Sequence, residues 1–217
     1  EQMAQAPPQE SPVVFVPYGP PGAGKSGATR AALKMYGVDE KDCIQPNIDT
    51  LVRSYMKEVT KNEEMFGDQA TYFAIREGWP AKATVRLMEE ARKTKRHMIT
   101  ETTGRSTWLV PNVLAPAATE HGFTTVIVYV LLPLAKLAPR ALDRLLRTGQ
   151  GHPPLDELGA TCRRAARNLA AFKDAGGAKA MVLLANNCGP YGSLKVVKEG
   201  DPELRAMANG EPFQVEL

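Results

Sequence analysis

Cysteine is scarce in this sequence, and the few that occur form no recognisable pair. The three cysteines are an odd number and include no C-x-x-C motif, so neither a disulfide framework nor a zinc site is indicated. The three histidines are scattered, and none has metal-ligand spacing. This cysteine usage indicates a reduced, cytoplasmic setting.

Long apolar runs and a strong excess of charge are also missing. The longest apolar run, Val126 to Leu132, has the length of a strand, whereas a membrane-spanning helix needs about 20 apolar residues. The net charge is only +3, and aromatic residues make up 6% of the chain. A phosphate-binding site alone can account for a few extra cations. We therefore expect neither a membrane partner nor a nucleic-acid partner, since nucleic-acid grooves combine basic charge with stacking aromatics.

The composition is otherwise that of an ordinary globular protein, with 43% hydrophobic and 24% charged residues. A chain of 217 residues is long enough to bury a full core. Residues 1–11 contain no apolar stretch of signal-peptide length. We predict a disordered lead-in over 1–11 and a single domain over 12–217.

The most informative motif is a glycine-rich segment that matches the spacing G-x-x-x-x-G-K-[ST]. It follows the apolar run Val13–Val16, which reads as a buried strand, and it precedes a helical pattern over Ser26–Lys34. This pattern is typical of a P-loop, in which backbone N–H groups surround the phosphates, the lysine reaches the β/γ-phosphates and the hydroxyl ligates Mg²⁺. The residues predicted to bind ATP are Gly19, Pro20, Pro21, Gly22, Ala23, Gly24, Lys25, Ser26 and Gly27, with Ser26 also the predicted Mg²⁺ ligand.

Strand-like and helix-like segments alternate along the rest of the chain. This alternation predicts an α/β fold, a P-loop kinase-like parallel sheet with helices on both faces. Further strands are predicted at 43–48, 97–101, 124–132, 180–184 and 193–198. Helical segments are predicted at 50–96 with a break at 78–80, at 107–121 broken by Pro111 and Pro116, at 134–147 with a break at Pro139, and at 155–174.

Two acidic residues follow predicted strands, where open α/β sheets place functional groups. Asp49 is a candidate base that accepts the proton of an acceptor hydroxyl, and it is equally a candidate helix N-cap. Glu101 has three possible roles: part of a Mg²⁺ shell, a hydrogen-bond acceptor for substrate hydroxyls, or an exposed loop residue.

Arginines cluster on the two helical segments that flank the Gly149–Pro154 loop. Such a pair of helices resembles a kinase lid, whose guanidinium groups neutralise the moving phosphoryl group. The alternative is a solvated helix face. We expect one functional arginine on each side and take Arg144 and Arg164 as the catalytic candidates.

The order of these motifs resembles the zeta-toxin family of P-loop kinases over Val13 to Lys198. The match is carried by the P-loop, by the N-I-D-T-L-V segment at 47–52, by E-T-T-G-R-S-T at 101–107, and by the Gly151-His152-x-Pro154 loop. The E-T-T-G-R-S-T element is the most discriminating of these. The chain departs from the family after Pro154, where some members carry a second lid arginine, so that role would pass to Arg163, Arg164 or Arg167.

The resemblance implies an ATP- and Mg²⁺-dependent kinase that phosphorylates the sugar 3′-hydroxyl of UDP-N-acetylglucosamine. It implies Lys25 and Ser26 at the ATP phosphates and Mg²⁺, Asp49 as the base, and substrate contacts from Glu101, Thr103, Gly104 and Arg105. Bacterial members of the family are held inactive by a small helical antitoxin that covers the nucleotide site. The resemblance therefore also implies an inhibitory protein partner of this kind.

Two other functions remain open from the residues alone. The same core could phosphorylate a polynucleotide 5′-hydroxyl, a nucleoside or an antibiotic. It could also be an NTP-binding module without catalysis, although the presence of acids at positions 49 and 101 argues against this.

Overall fold

A six-stranded β-sheet runs through the protein, in a computed structural model that describes residues 6–59, 74–132, 134–148, 155–176, 180–186 and 195–198. The strands are β1 (Val13–Tyr18), β2 (Cys43–Ile44), β3 (His97–Ile99), β4 (Thr124–Leu131), β5 (Ala180–Asn186) and β6 (Lys195–Lys198). The helices are α1 (Lys25–Tyr36), α2 (Ile48–Val59), α3 (Trp79–Lys93), α4 (Ala115–His121), α5 (Leu134–Thr148) and α6 (Leu155–Ala175). A π-helical turn, Val110–Leu114, directly precedes α4.

The central strand β1 is buried on both faces of the sheet. Val14, Val16 and Tyr18 pack in one hydrophobic cluster, with residues of α3, the π-helical turn, α4 and α6. Val13 and Phe15 pack in a second cluster, with residues of α1 and α5. Successive side chains of a strand point to opposite faces, so the two clusters lie on opposite sides of the sheet. The predicted α/β fold with helices on both faces is confirmed.

The strand order β2-β3-β1-β4-β5-β6 places a topological switch point beside β1. After β1 the chain enters α1, which packs in the second cluster. After β3 it enters the π-helical turn and α4, which pack in the first cluster on the opposite face. A crevice therefore opens between the carboxyl ends of β1 and β3, where α/β sheets commonly bind ligands.

Two strands differ from the sequence predictions. Only Cys43–Ile44 of the predicted 43–48 strand pairs with β3, because Pro46 has no N–H to donate and the next helix begins at Ile48. Strand β6 pairs antiparallel with β5, whereas the other neighbouring strands are parallel. The β5–β6 connection spans residues 187–194, which is shorter than the dozen or more residues that a parallel crossover needs.

The predicted proline breaks at positions 111, 116 and 139 are wrong. Pro139 lies inside the continuous helix α5, on its exposed side. Pro111 and Pro116 lie in a continuous helical segment formed by the π-helical turn and α4. Pro116 cannot donate to the carbonyl of Asn112, and the guanidinium of Arg92 donates to that oxygen instead, at 2.8 Å. An outside donor thus satisfies the carbonyl that the proline leaves open.

The lead-in packs against the domain earlier than predicted. Ala6 is buried in the first cluster, Pro8 forms a β-bridge with Arg96, and the N–H of Gln9 donates to the carbonyl of Lys95 at 2.8 Å. The part of the predicted lead-in that the structure describes, residues 6–11, thus contacts the domain, and residues 1–5 lie outside the described part. Within the described ranges, no helix combines the length and apolar character needed to cross a membrane.

Candidate active site

The phosphate-binding turn connects β1 to α1. Residues 19–24 form the turn, and Lys25, Ser26 and Gly27 lie in the first turn of α1. Gly19 has a φ of 140°, and a Cβ there would lie 3.2 Å from the carbonyl oxygen of Val130, so the turn packs directly against the β4 backbone. Ser26 is exposed at the start of α1. The N-terminus of α1 is a favourable site for an anion, and the Ser26 hydroxyl is placed where it could coordinate Mg²⁺.

Lys25 is buried at the base of this turn, with 7% of its side chain exposed. Its Nζ donates to the carbonyl oxygens of Gly19 at 3.1 Å and Pro20 at 3.2 Å. It also lies 3.2 Å from Oε1 of Glu101. The turn's own carbonyls and one carboxylate thus fix the ammonium group beside the turn.

The segment after β3 is held against β1 and the phosphate-binding turn by backbone hydrogen bonds. The N–H of Thr100 donates to Phe15 and that of Thr102 donates to Pro17, both at 2.9 Å. The N–H of Gly19 donates in return to the carbonyl of Thr102 at 3.2 Å. Glu101 lies between the two fixed threonines, so its carboxylate is presented beside Lys25.

Gly104 is the point at which the loop after β3 contacts the core. A Cβ on Gly104 would lie 2.6 Å from the Tyr18 ring and 2.9 Å from Ala165, and its φ is 73°. Asn168 Nδ2 donates to the Gly104 carbonyl at 2.8 Å. Gly104 is buried, and it does not line the cavity described below. Gly104 therefore sets the path of the loop that carries Thr103 and Arg105, and its substrate contact stays a prediction.

The ring of Tyr18 packs against Gly104 of this loop. The sequence alone did not predict a role for Tyr18. Its side chain is fully buried, and its hydroxyl donates to the carbonyl of Ala165 at 2.6 Å. Burial raises the pKa of the Tyr18 phenol, with a further contribution from nearby Tyr129. The phenol therefore stays protonated and remains a donor. The position of Tyr18 at the end of an apolar strand is consistent with a buried side chain, but its contact with α6 depends on tertiary packing.

Asp49 lies in the first turn of α2, and the cap of that helix is Asn47. The Oδ1 of Asn47 accepts from the N–H of Asp49 at 2.9 Å and of Thr50 at 3.2 Å. The alternative interpretation of Asp49 as the N-cap is therefore wrong. Asp49 is exposed and lies on the wall of a cavity. An acid at this position is also favoured by the helix dipole.

A cavity of about 570 Å³ adjoins the Lys25–Glu101 pair. Its wall brings together four of the predicted site residues, namely Asp49, Glu101, Thr103 and Arg105. These residues come from the start of α2 and from the loop after β3. The volume lies within the range of ligand sites, about 300–1,000 Å³.

The same cavity contains residues that the sequence prediction missed. Arg76, Glu77 and Trp108 lie on its wall, together with apolar side chains of α3. Trp108 is 46% exposed, which is unusual for so large an apolar side chain. It directly follows the predicted 101–107 motif, so its position was visible in the sequence. Arg76 and Glu77 carried no comparable pattern.

The predicted lid arginines lie on the two helices that flank residues 149–154. Arg144 lies on α5, but its side chain is outside the described part, as is the 149–154 loop. Arg164 is exposed on α6. Arg105 pairs with Glu157 of α6 at 3.3 Å, which connects the cavity wall to that helix. The catalytic roles of Arg144 and Arg164 stay predictions.

Solved structures with a similar fold come from several protein systems. The PezAT chromosomal toxin–antitoxin system of Streptococcus pneumoniae matches with a TM-score of 0.59 and 13% identity, over 83% of this chain and 69% of that one. The AvrRxo1-ORF1:-ORF2 complex with ATP matches with a TM-score of 0.61 and 16% identity, over 87% and 57%. The Pnkp1/Rnl/Hen1 RNA repair complex matches with a TM-score of 0.52 and 17% identity, over 76% and 47%. At such identities the likeness shows the fold alone.

Sequence comparison is decisive at the level of the family. No curated protein matches this chain. The family described as zeta toxin matches residues 1–188, which include the phosphate-binding turn, the Asp49 segment, Glu101 and the following loop, and helix α6. The chain therefore belongs to the zeta toxin family.

Proposed function

We propose that this protein is an ATP- and Mg²⁺-dependent kinase whose acceptor is a hydroxyl of a UDP-sugar. The acceptor that we favour is the 3′-hydroxyl of UDP-N-acetylglucosamine. The observation that carries the proposal is the direct contact between the two halves of the site. Lys25 of the phosphate-binding turn pairs with Glu101, which lies on the wall of a cavity that also contains Asp49. Membership of the zeta toxin family supports a phosphotransferase.

The phosphate side of the site would hold ATP. Backbone N–H groups of the turn and the N-terminus of α1 would bind the phosphates, and Lys25 would reach the β/γ-phosphates. Ser26 would ligate Mg²⁺, which when bound neutralises phosphate charge. Phosphoryl transfer needs little covalent assistance, so positioning and charge neutralisation by these groups supply most of the rate.

The cavity side would hold the acceptor. Its polar groups could bind sugar hydroxyls, and its two arginines, Arg76 and Arg105, suit a diphosphate because guanidinium groups bind phosphate oxygens bidentately. Trp108 offers a ring face on which a base or a sugar can stack. Asp49 would accept the proton of the hydroxyl, and Arg144 and Arg164 would neutralise the transferring group.

A single product assay can compare the proposed acceptor with the alternatives. Incubation with ATP and Mg²⁺ and a panel of UDP-sugars, followed by ³¹P NMR, should reveal a new phosphomonoester signal. The panel should include a 5′-hydroxyl oligonucleotide, because the polynucleotide kinase alternative shares this core. No product from any UDP-sugar while ATP still binds would contradict the proposed acceptor. A small antitoxin that covers the nucleotide site, as the family implies, should compete with ATP.

A further inference from the structure

The ammonium group of Lys25 has no spare donor for a phosphate in this arrangement. A lysine side chain carries three N–H donors and no acceptor. Three acceptors surround Nζ at 3.1–3.2 Å, namely the carbonyls of Gly19 and Pro20 and the carboxylate of Glu101. For Lys25 to donate to the phosphates of ATP, at least one of these contacts must be given up or shared.

Glu101 is the contact that can be released at least cost. The carbonyls of Gly19 and Pro20 belong to the backbone of the phosphate-binding turn, and the N–H of Gly19 is itself bonded to Thr102. Moving those carbonyls would rebuild the turn. The Glu101 carboxylate instead ends a flexible side chain that is 50% exposed and lies on the cavity wall. Rotation of that side chain frees one Lys25 donor without moving the backbone.

We propose that Glu101 is a positioning residue that couples the cavity to the phosphate site through Lys25. Without an acceptor, Glu101 holds Lys25 and competes with the phosphates of ATP. An acceptor hydroxyl that donates to Glu101 draws the carboxylate into the cavity and releases Lys25. ATP and acceptor then bind more tightly together than apart, and by linkage each raises the affinity for the other by the same factor. This inference rests on the proposed kinase function.

The first test needs no acceptor, so it does not depend on the identity of the substrate. Titration of wild-type protein and of Glu101→Gln with ATP and Mg²⁺, by calorimetry, compares their ATP affinities. Removing the competing charge should tighten ATP binding about threefold to fivefold, the upper part of the range expected for loss of a partly exposed ion pair. Unchanged affinity would overturn the coupling. Weaker binding would also overturn it and would instead indicate that Glu101 belongs to the Mg²⁺ shell.

A double-mutant cycle separates competition for Lys25 from simple charge repulsion. The Glu101→Gln change is repeated in a Lys25→Met background, where no ammonium group remains to be released. The tightening should then disappear. An equal tightening in both backgrounds would show that the carboxylate merely repels ATP and would overturn the proposal. Glu77→Gln is the matched control, because Glu77 lies on the same cavity wall; it should leave ATP affinity within twofold in either background.

The second test adds the acceptor. In the wild type, saturating UDP-N-acetylglucosamine should tighten the binding of a non-hydrolysable ATP analogue with Mg²⁺, which prevents turnover during the titration. In Glu101→Gln this enhancement should fall to less than half. Enhancement that survives the substitution would overturn the coupling. If UDP-N-acetylglucosamine has no effect on the wild type while Glu101→Gln alone still tightens ATP binding, the proposed acceptor fails and the Lys25–Glu101 competition stands.

Discussion

At the scale of single residues, the candidate site is held in place by the packing of Gly104 on Tyr18. The ring of Tyr18 occupies the space that any side chain at position 104 would need. The same ring packs edge-on against Tyr129 and Phe172, and its hydroxyl is bonded to α6. The loop that carries Arg105 is therefore fixed by core packing as well as by its own hydrogen bonds.

Gly104→Ala should consequently destabilise the protein. The new Cβ would lie 2.6 Å from the Tyr18 ring, and alanine is strained at a φ of 73°. Overpacking and left-handed strain together predict a loss of about 2–4 kcal/mol in the free energy of unfolding, measured by urea denaturation. Gly37→Ala is the control, because its φ is 65° but nothing lies within 4 Å of the new Cβ. Equal losses in the two variants would contradict the packing argument.

Trp108 should contribute to acceptor binding and not to ATP binding. Trp108→Ala removes the exposed ring on the cavity wall, and stacking of about 1–3 kcal/mol predicts an increase in the acceptor KM of roughly fivefold or more. The KM for ATP should stay within twofold. Trp79→Ala is the control, since Trp79 is 57% exposed and stacks on Tyr55. A similar rise in acceptor KM for both variants would argue against a stacking role for Trp108.

The sequence could suggest roles for single residues but not the contacts between them. Lys25 could be assigned to the phosphates from spacing, because a P-loop is a local structure. Its pairing with Glu101 depends on which strand lies beside β1, and no local pattern encodes that. The sequence left the cap of α2 open, because Asn47 and Asp49 are both good capping residues. Only the backbone shows which side chain faces the first N–H groups.

At the scale of secondary structure elements, the neighbourhood of a proline decides whether it ends a helix. Pro116 lies in a continuous helical segment because Arg92 of α3 donates to the carbonyl of Asn112. A rule that treats proline as a helix breaker considers only the chain itself. It therefore fails where another element supplies the missing donor.

The pairing of β1 with β3 predicts a pH dependence of stability. The Nδ1 of His97 accepts from the N–H of Val13 at 3.0 Å, and burial lowers the pKa of His97 below its usual value, while Asp42 opposes the shift. The folded state therefore binds the proton more weakly than the unfolded state. The stabilisation is fully present above the unfolded pKa, about 6.5, and is lost as the pH falls below it.

His97→Asn should reduce this dependence, because an amide oxygen can accept from Val13 but does not titrate. Protonation of the wild-type Nδ1 removes a buried hydrogen bond, at a cost of about 1–3 kcal/mol. We therefore expect the free energy of unfolding to fall more between pH 7.5 and 5 in the wild type than in His97→Asn. Urea denaturation at both pH values measures the difference. Parallel losses in the two proteins would mean that other groups cause the pH dependence.

At the scale of the whole molecule, the alternation of strands and helices was sufficient to predict the fold class. Buried apolar runs such as Val13–Tyr18 identify central parallel strands, and the motif after β1 identifies the binding edge. The direction of β6 could not be predicted from its composition. The antiparallel direction follows from the short connection between β5 and β6. The length of that connection is known only once the ends of both strands are known.

The proposed transfer requires the cavity wall that carries Asp49 to face the phosphate-binding turn across the width of one hydroxyl. The Lys25–Glu101 contact supports this arrangement, since Glu101 lies on the same wall as Asp49. Asp49 should then act in transfer but contribute little to ATP binding. A carboxylate that only stabilises α2 would affect neither.

The most direct measurement is single-turnover phosphoryl transfer by Asp49→Asn, with the nucleotide-sugar identified by ³¹P NMR as the acceptor. Loss of a general base predicts a rate at least ~100-fold below the wild type, while the ATP dissociation constant stays within a few-fold. Glu120→Gln, which changes an exposed carboxylate outside the cavity, should transfer at close to the wild-type rate. An Asp49→Asn rate within a few-fold of the wild type, with ATP binding intact, would contradict the account.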